Sequence, residues 1–138
     1  MKYQFVKKDT DTTILKYKNK EYEIKRDIDL ISKLQGTFSK ARTKMYVELT
    51  KQGIKREDLI IVTTKNGKRY EDNSNLTALE QDYLKLENFN IMNDVSLKYF
   101  NMNLETLITD IGLTDDESQK FGVELAEALS DSKSPSEA

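Results

Sequence analysis

The sequence of 138 residues contains no cysteine and no histidine, and it has only one proline and five glycines. Without cysteine the chain cannot form disulfides or thiolate metal sites, and it has no cysteine nucleophile. Without histidine it lacks the commonest general base and the commonest transition-metal ligand. We therefore expect a protein that is not an enzyme, with no catalytic residues and with no cofactor or metal site.

Long hydrophobic runs are also absent from the sequence. No stretch approaches the ~20 apolar residues that a membrane span needs. The first eight residues place no apolar run after their charges, so they do not resemble a secretory signal. We expect a protein with no membrane contact, located in the cytoplasm where it is made.

Charge is divided unevenly along the chain, although the net charge is only -2. Residues 1–70 contain 18 Lys and Arg against 9 Asp and Glu, a net charge of +9, and residues 71–138 contain 4 against 15, a net charge of -11. One interpretation is that the two halves attract each other within the fold. The other is head-to-tail self-association, or one charged face for each of two partners.

Apolar and polar residues alternate near the N-terminus, which predicts two or three antiparallel strands across residues 2–26. Lys18-Asn19-Lys20 interrupts the alternation, and we expect a hairpin turn there. Asparagine tolerates the left-handed backbone that such turns need. The β-branched segment Leu59–Thr64, followed by Asn66-Gly67, predicts a second hairpin.

Helical periodicity predicts an amphipathic helix between these hairpins, with Asp27 as its N-cap, Gly53 after its C-terminus and either a kink or close packing at Gly36. Its polar side carries Lys33, Lys40, Arg42, Lys44 and Lys51. Its apolar stripe consists of Ile28, Ile31, Leu34, Phe38, Ala41, Met45 and Leu49.

From about residue 75 the sequence becomes helical and acidic. Thr77-x-x-Glu80 fits a capping box, and the asparagines between residues 88 and 93 leave room for a helix break. Asn103 can cap a short helix that Gly112 ends. Thr114-Asp115-Asp116-Glu117 lacks the spacing of a calcium loop and fits the start of a last helix instead.

These patterns predict an α+β fold, with N-terminal antiparallel hairpins packed against a mainly α-helical C-terminal half. We assign one domain to residues 1–129, basic over 1–70 and acidic over 71–129. Residues 130–138 form a polar tail that we expect to be disordered.

The basic residues of the first half are interleaved with tyrosines, which could suggest a nucleic-acid face. However, Glu21 and Glu23 alternate with the lysines of the first hairpin, and the pI is about 5.3. Nucleic acid is therefore not the partner that the sequence favours.

The last helix is the candidate partner-binding element. Its apolar residues Phe121, Leu125 and Leu129 are either core or a docking surface of the helix-in-groove kind. If they dock a partner, Glu124 and Glu127 form the rim of that surface.

The run Tyr17-Lys18-Asn19-Lys20-Glu21-Tyr22-Glu23-Ile24, leading into Asp27–Ile31, resembles the opening of tail assembly chaperones of long-tailed phages that infect Gram-positive bacteria. The segments Leu104–Leu107, Gly112–Glu117 and Phe121–Leu129 resemble the helical end of the same family. Together these segments cover about half of the chain.

The resemblance implies a non-enzymatic cytoplasmic assembly factor of the host cell that is absent from the mature virion. Proteins of that family bind the tape-measure protein, recruit tail-tube subunits, self-associate and usually have a longer form made by ribosomal frameshifting. The alternative function is a small phage or mobile-element regulator or inhibitor that binds a host protein or nucleic acid.

Overall fold

The structure is a computed structural model that describes residues 1–130, and it confirms the α+β prediction. Two small antiparallel sheets are followed by a mostly helical C-terminal half. Of the predicted tail, only Ser130 lies within the described residues, where it ends the last helix. The elements are β1 (Gln4–Lys7), β2 (Thr12–Tyr17), β3 (Lys20–Lys25), α1 (Ile28–Gln35), α2 (Thr37–Lys51), a 3₁₀ turn (Arg56–Leu59), β4 (Ile61–Lys65), β5 (Lys68–Asp72), α3 (Ser74–Phe100), α4 (Leu104–Ile111) and α5 (Asp115–Ser130).

The N-terminal sheet has the antiparallel strand order β1-β2-β3, which confirms the predicted strands. The β2–β3 turn uses Lys18 and Asn19 at φ angles of 46° and 64°, both in the left-handed region. The β4–β5 turn uses Asn66 and Gly67 at 55° and 74°. Two successive positive φ angles match the right-handed twist of the flanking strands, which explains why asparagine and glycine signal these hairpins.

The chain divides into two compact units. Within the described residues, one consists of residues 1–34 and 90–130, and we call it the sheet unit. The other consists of residues 35–89, and we call it the ribbon unit. Their boundaries do not coincide with the change of charge at residue 70, and the assignment of one domain to 1–129 stays a prediction.

The sheet unit has an extensive apolar core formed by β2, β3 and the C-terminal helices. Leu15 and Ile24 from the sheet are fully buried, as are Leu107 of α4 and Leu125 of α5. Leu15 and Ile24 occupy inward-facing positions of the alternating strand pattern. The inward face of the sheet therefore meets the apolar stripes of the helices. The other buried members of this core are Tyr17, Leu30, Val95, Phe100, Leu104, Ile111, Phe121, Ala128 and Leu129.

The ribbon unit has a smaller core. Met45 and Leu49 of α2 and Leu76 of α3 are buried. They are surrounded by partly buried side chains, namely Tyr46, Ile54, Leu59, Leu79 and Tyr83.

The predicted long helix is divided at Gly36 into α1 and α2. One apolar stripe therefore does not continue across residues 28–49, and two of its predicted members, Ile28 and Phe38, are exposed. Asp27 accepts a hydrogen bond from the Leu30 amide, as an N-cap does. Gly53 has a φ of 70°, and the amide of the next residue bonds the Leu49 carbonyl at 2.9 Å. This is the C-terminal geometry that favours glycine.

Helix α3 begins earlier than predicted and has no break at its asparagines. It starts at Ser74, so Thr77 lies inside the helix and does not cap it. Asn93 instead accepts a hydrogen bond from the Leu104 amide at 2.8 Å. The caps at Asn103 and Thr114 are confirmed by their hydrogen bonds. No helix within residues 1–130 is both long and apolar enough to cross a membrane.

Ion pairs inside each unit join the basic half of the sequence to the acidic half. Part of the opposite charge of the two halves is therefore neutralised by ion pairs within the fold. In the sheet unit these pairs are Lys2–Glu117 and Lys20–Asp110, and in the ribbon unit they are Lys40–Glu87, Lys44–Glu87 and Arg42–Glu80.

Candidate interaction surfaces

The three apolar residues predicted as partner contacts on α5 lie in the core of the sheet unit. Phe121, Leu125 and Leu129 have almost no exposed surface. The Phe121 ring packs against the rings of Tyr3 and Phe5, with centroids 5.1 and 5.5 Å apart. Burial favours the core alternative for these side chains, because a partner cannot reach them in this conformation.

The two acidic residues predicted for the rim differ in their surroundings. The Tyr3 hydroxyl donates a 2.6 Å hydrogen bond to Glu124, so this carboxylate ties α5 to β1. Burial, reinforced by this hydrogen bond, raises the pKa of Tyr3 above its usual value. Glu127 faces solvent and remains available to a partner.

Asp110 of α4 holds the β2–β3 hairpin through two polar contacts. The Tyr17 hydroxyl donates to its carboxylate at 2.8 Å, and the Lys20 ammonium donates at 3.0 Å. The hydrogen bond from Lys20, followed by that from Tyr17, lowers the pKa of Asp110. These contacts join residues about ninety positions apart in sequence, so they fix the sheet against α4.

Asp27 does more than cap α1. Its side chain is buried and accepts hydrogen bonds from the Tyr99 hydroxyl at 2.7 Å and from the Lys98 ammonium. Its backbone amide donates to the Leu129 carbonyl at 2.9 Å. Burial alone would raise the pKa of Asp27, but the bonds from Lys98, Tyr99 and the Leu30 amide outweigh it, and the pKa is lowered.

The outer face of α2 carries an exposed apolar groove, which we call the α2 groove. The buried face of this helix uses Ala41, Met45 and Leu49, at steps of four, and the groove lies on other rows of the helix. Phe38 is 50% exposed and Val47 is 49% exposed. The groove is shallow and open to solvent, and it is lined by Phe38, Ser39, Arg42, Thr43, Tyr46, Val47, Thr50 and Lys51.

Arg42 gives this groove a positive charge and contacts its aromatic rings. The Arg42 guanidinium lies 5.6 Å from the centroid of the Phe38 ring and 5.9 Å from that of Tyr46. These are cation–π distances, so the arginine contacts both rings. Small hydroxyl residues, Ser39 and Thr43, line the groove beside them.

The side of α2 toward α3 is anchored by a buried carboxylate. Glu87 is 1% exposed and pairs with Lys44, and its second oxygen lies 3.7 Å from the Lys40 ammonium. That oxygen has no hydrogen-bond partner within the described residues. Several predicted surface cations of α2 thus hold α2 against α3.

The β4–β5 hairpin, which we call the ribbon, is exposed along its whole length. All five residues of each strand are exposed, including Ile61, Val62 and Tyr70. The turn residues predicted this hairpin, but its exposure on both faces was not predicted. An isolated two-stranded hairpin is only marginally stable in water. A ribbon with no buried face is therefore an unusual feature of a folded protein.

Sequence reasoning missed the α2 groove and the second role of Asp27. The groove had a signal, because Tyr46 and Val47 lie off the predicted apolar stripe of Ala41, Met45 and Leu49. Asp27 had none beyond its capping position, because its partners are about seventy residues away.

Within residues 1–130 no cluster of three or more acidic side chains could hold a metal ion. In comparisons with known proteins, no protein-family model, no curated protein and no solved structure matches this chain.

Proposed function

We propose that this protein acts by non-covalent binding, without catalysis, as a tail assembly chaperone of long-tailed phages that infect Gram-positive bacteria. The sequence resemblance of the first hairpin and the C-terminal helices suggests the family. The structural observation that supports a binding role is the exposed apolar α2 groove. A chaperone needs such a surface because it must cover apolar surface of its client until assembly.

In this proposal the α2 groove receives a helix of the tape-measure protein. Phe38, Tyr46 and Val47 supply apolar surface, and the hydroxyl residues Ser39 and Thr43 allow a helix to approach closely. Phe38 and Tyr46 are eight residues apart, about two helical turns, and an amphipathic client helix can place apolar side chains at a matching spacing. Tail-tube subunits would join the same complex.

The same proposal places the protein in the host cytoplasm and outside the mature virion. Several copies act together on one client. Self-association is compatible with the exposed acids of α5, among them Asp115, Asp116 and Glu127, which do not pair within the described residues. A surface of this kind favours a cationic surface on another copy at low salt.

The experiment that tests the proposal is a tagged pull-down from phage-producing cells, read by mass spectrometry. Wild type should recover a tape-measure or tail-tube protein. Val47→Asp should reduce that recovery about tenfold or more, the effect of a loss of about 1.4 kcal/mol in binding. Val123→Asp is the matched control, because Val123 is an exposed valine on a different helix, α5.

The two variants also separate two questions, namely which helix docks the client and whether the protein is a chaperone. Loss with Val123→Asp and not with Val47→Asp would move the contact to α5 and leave the chaperone role intact. Failure of wild type to recover any tail protein would refute the chaperone role itself.

A regulator or inhibitor that binds a host protein or nucleic acid is the second candidate. The observation that favours it is the exposed ribbon, whose apolar and cationic residues have no role in either core. Recovery of one host protein, without tail proteins, would support this candidate.

A further inference from the structure

We propose that the ribbon binds duplex DNA by placing its cationic tip in the major groove. Lys65, Lys68 and Arg69 surround the Asn66-Gly67 turn, and all three side chains are exposed. Of the acids of the ribbon, Asp72 lies at its other end, and Glu71 lies between, where it contacts Arg69. The inference is independent of the chaperone role, since it uses neither the α2 groove nor α5.

The pairing register of the ribbon places two like charges opposite each other. Lys65 pairs directly with Lys68 across the strands. Directly opposed like charges destabilise an antiparallel pair. The neighbouring Arg69 contacts Glu71 at 3.1 Å, but both side chains are exposed and such a pair is weak. An anion bound at the tip would relieve the repulsion between the lysines.

The shape of the ribbon suits a groove better than a flat protein surface. Successive side chains of a strand point to opposite faces, so Tyr70 and Thr63 share one face and Thr64 and Arg69 share the other. A flat partner would cover one face only, whereas a groove contacts both faces and the tip. The hydroxyls of Thr63, Thr64 and Tyr70 could donate hydrogen bonds to phosphates, which are the commonest protein–DNA contacts.

Groove dimensions select DNA over duplex RNA. The major groove of B-DNA is about 12 Å wide and admits a two-stranded ribbon. The major groove of A-form RNA is deep and narrow, and side chains cannot read it. Phosphate contacts from the three cations would give affinity, with little sequence preference.

The acidic pI that argued against nucleic acid is a property of the whole chain. The ribbon unit, residues 35–89, contains ten Lys and Arg against eight Asp and Glu, a net charge of +2, whereas the whole chain has -2. Counterions are displaced by local cations, so a cationic tip can bind phosphate on a protein of negative net charge.

The test is fluorescence anisotropy of the full chain with a labelled 20-base-pair DNA duplex, from about 50 to about 200 mM salt. Three phosphate contacts predict an affinity loss of about 40-fold over this range, and one contact a loss of about 3.5-fold. Wild type should lose affinity about 40-fold over this salt range. The double variant Lys65→Gln/Lys68→Gln should bind more weakly and lose affinity only about 3.5-fold. Lys33→Gln/Lys85→Gln is the matched control, because it removes two exposed lysines outside the ribbon and should behave as wild type.

Three results would overturn the proposal. The first is absence of wild-type binding to the duplex at about 50 mM salt. The second is equal weakening by the control pair, which would indicate diffuse charge. The third is equal affinity for an RNA duplex of the same sequence, which would exclude the groove. Circular dichroism of both variants should match wild type, because the substituted lysines are exposed.

Discussion

Leu125 is fully buried in the core of the sheet unit, whereas Val123, two residues earlier on the same helix, is 60% exposed. Both are apolar residues of one amphipathic helix. Their difference arises from helix geometry, which turns successive residues by about 100° and gives each a different neighbour. The two residues therefore separate core stability from partner contact on α5.

Leu125→Asp should unfold the sheet unit. The change removes a buried side chain and buries a carboxylate without a cation, and we expect a loss of about 4 kcal/mol or more. Val123→Asp should change the free energy of unfolding by less than about 0.5 kcal/mol. Urea denaturation followed by circular dichroism measures both. A folded and stable Leu125→Asp protein would mean that this side chain is not core.

Asp27→Asn should weaken the protein at neutral pH and have little effect in acid. Asparagine can still cap α1. However, it loses the charge that Lys98 and Tyr99 contact, and we expect a cost of about 1–3 kcal/mol at pH 7. The pKa of Asp27 is lowered in the folded state. Its contribution is therefore present above the unfolded pKa of about 3.9 and is lost as the pH falls through the folded pKa.

Denaturant midpoints measured between about pH 7 and pH 3 would check this pH dependence. The difference between wild type and Asp27→Asn should shrink below about pH 4. A difference that stays constant across the series would show that the charge of Asp27 is not what stabilises the fold.

At the scale of elements, local chemistry made the turns and most of the caps predictable, Thr77 being the exception. Lys18-Asn19, Asn66-Gly67, Asn103 and Gly112 all act within a few residues of themselves, and the sequence predicted each. The continuity of α3 was not predictable in this way. Its asparagines weaken helix propensity locally, but Asn93 is held by the amide of the next helix, a tertiary contact.

The candidate surfaces show the same limit. The apolar residues of α5 and the α2 groove have similar periodicity, and only packing distinguishes Phe121 in the core from Phe38 at the surface. The ribbon was predictable as a hairpin because of its turn. Its exposure depends on whether other elements pack against it, and the spacing of its residues does not predict that.

Two glycines in helical surroundings should respond oppositely to alanine. Gly53 has a φ of 70°, so Gly53→Ala should cost about 1–2 kcal/mol. Gly122 lies inside α5 with open space where a Cβ would point, so Gly122→Ala should stabilise by about 0.5–1 kcal/mol. Thermal unfolding should show a lower midpoint for the first variant and a higher one for the second. Equal shifts would mean that backbone conformation does not govern the response.

At the scale of the whole molecule, the two units differ in how much apolar surface they bury. The ribbon unit has three buried apolar side chains in its core cluster, and the sheet unit has thirteen. Regions with fewer buried contacts open at a lower free energy. The α2 groove and the ribbon, our candidate binding surfaces, both belong to the ribbon unit, which we expect to open at the lower free energy.

Native-state hydrogen exchange should reflect this difference. Amides of α2 around Met45 should exchange through openings of lower free energy than amides of α5 around Leu125. Within α3, residues 74–89 should follow the ribbon unit and residues 90–100 the sheet unit. Uniform protection of all helices would indicate that the chain unfolds as one cooperative body.

The sheet unit is discontinuous in sequence, and this has a consequence for synthesis. Its strands end at Lys25, whereas the last helix that covers them ends at Ser130. At about 5–20 residues per second, the strands leave the ribosome about 5–20 s before that helix is complete. The ribbon unit, a continuous segment, can mature during this interval. Strands made early are thus fully covered only late, and a chain that stops before Asp115 lacks the α5 side chains that complete the core around Leu15 and Ile24.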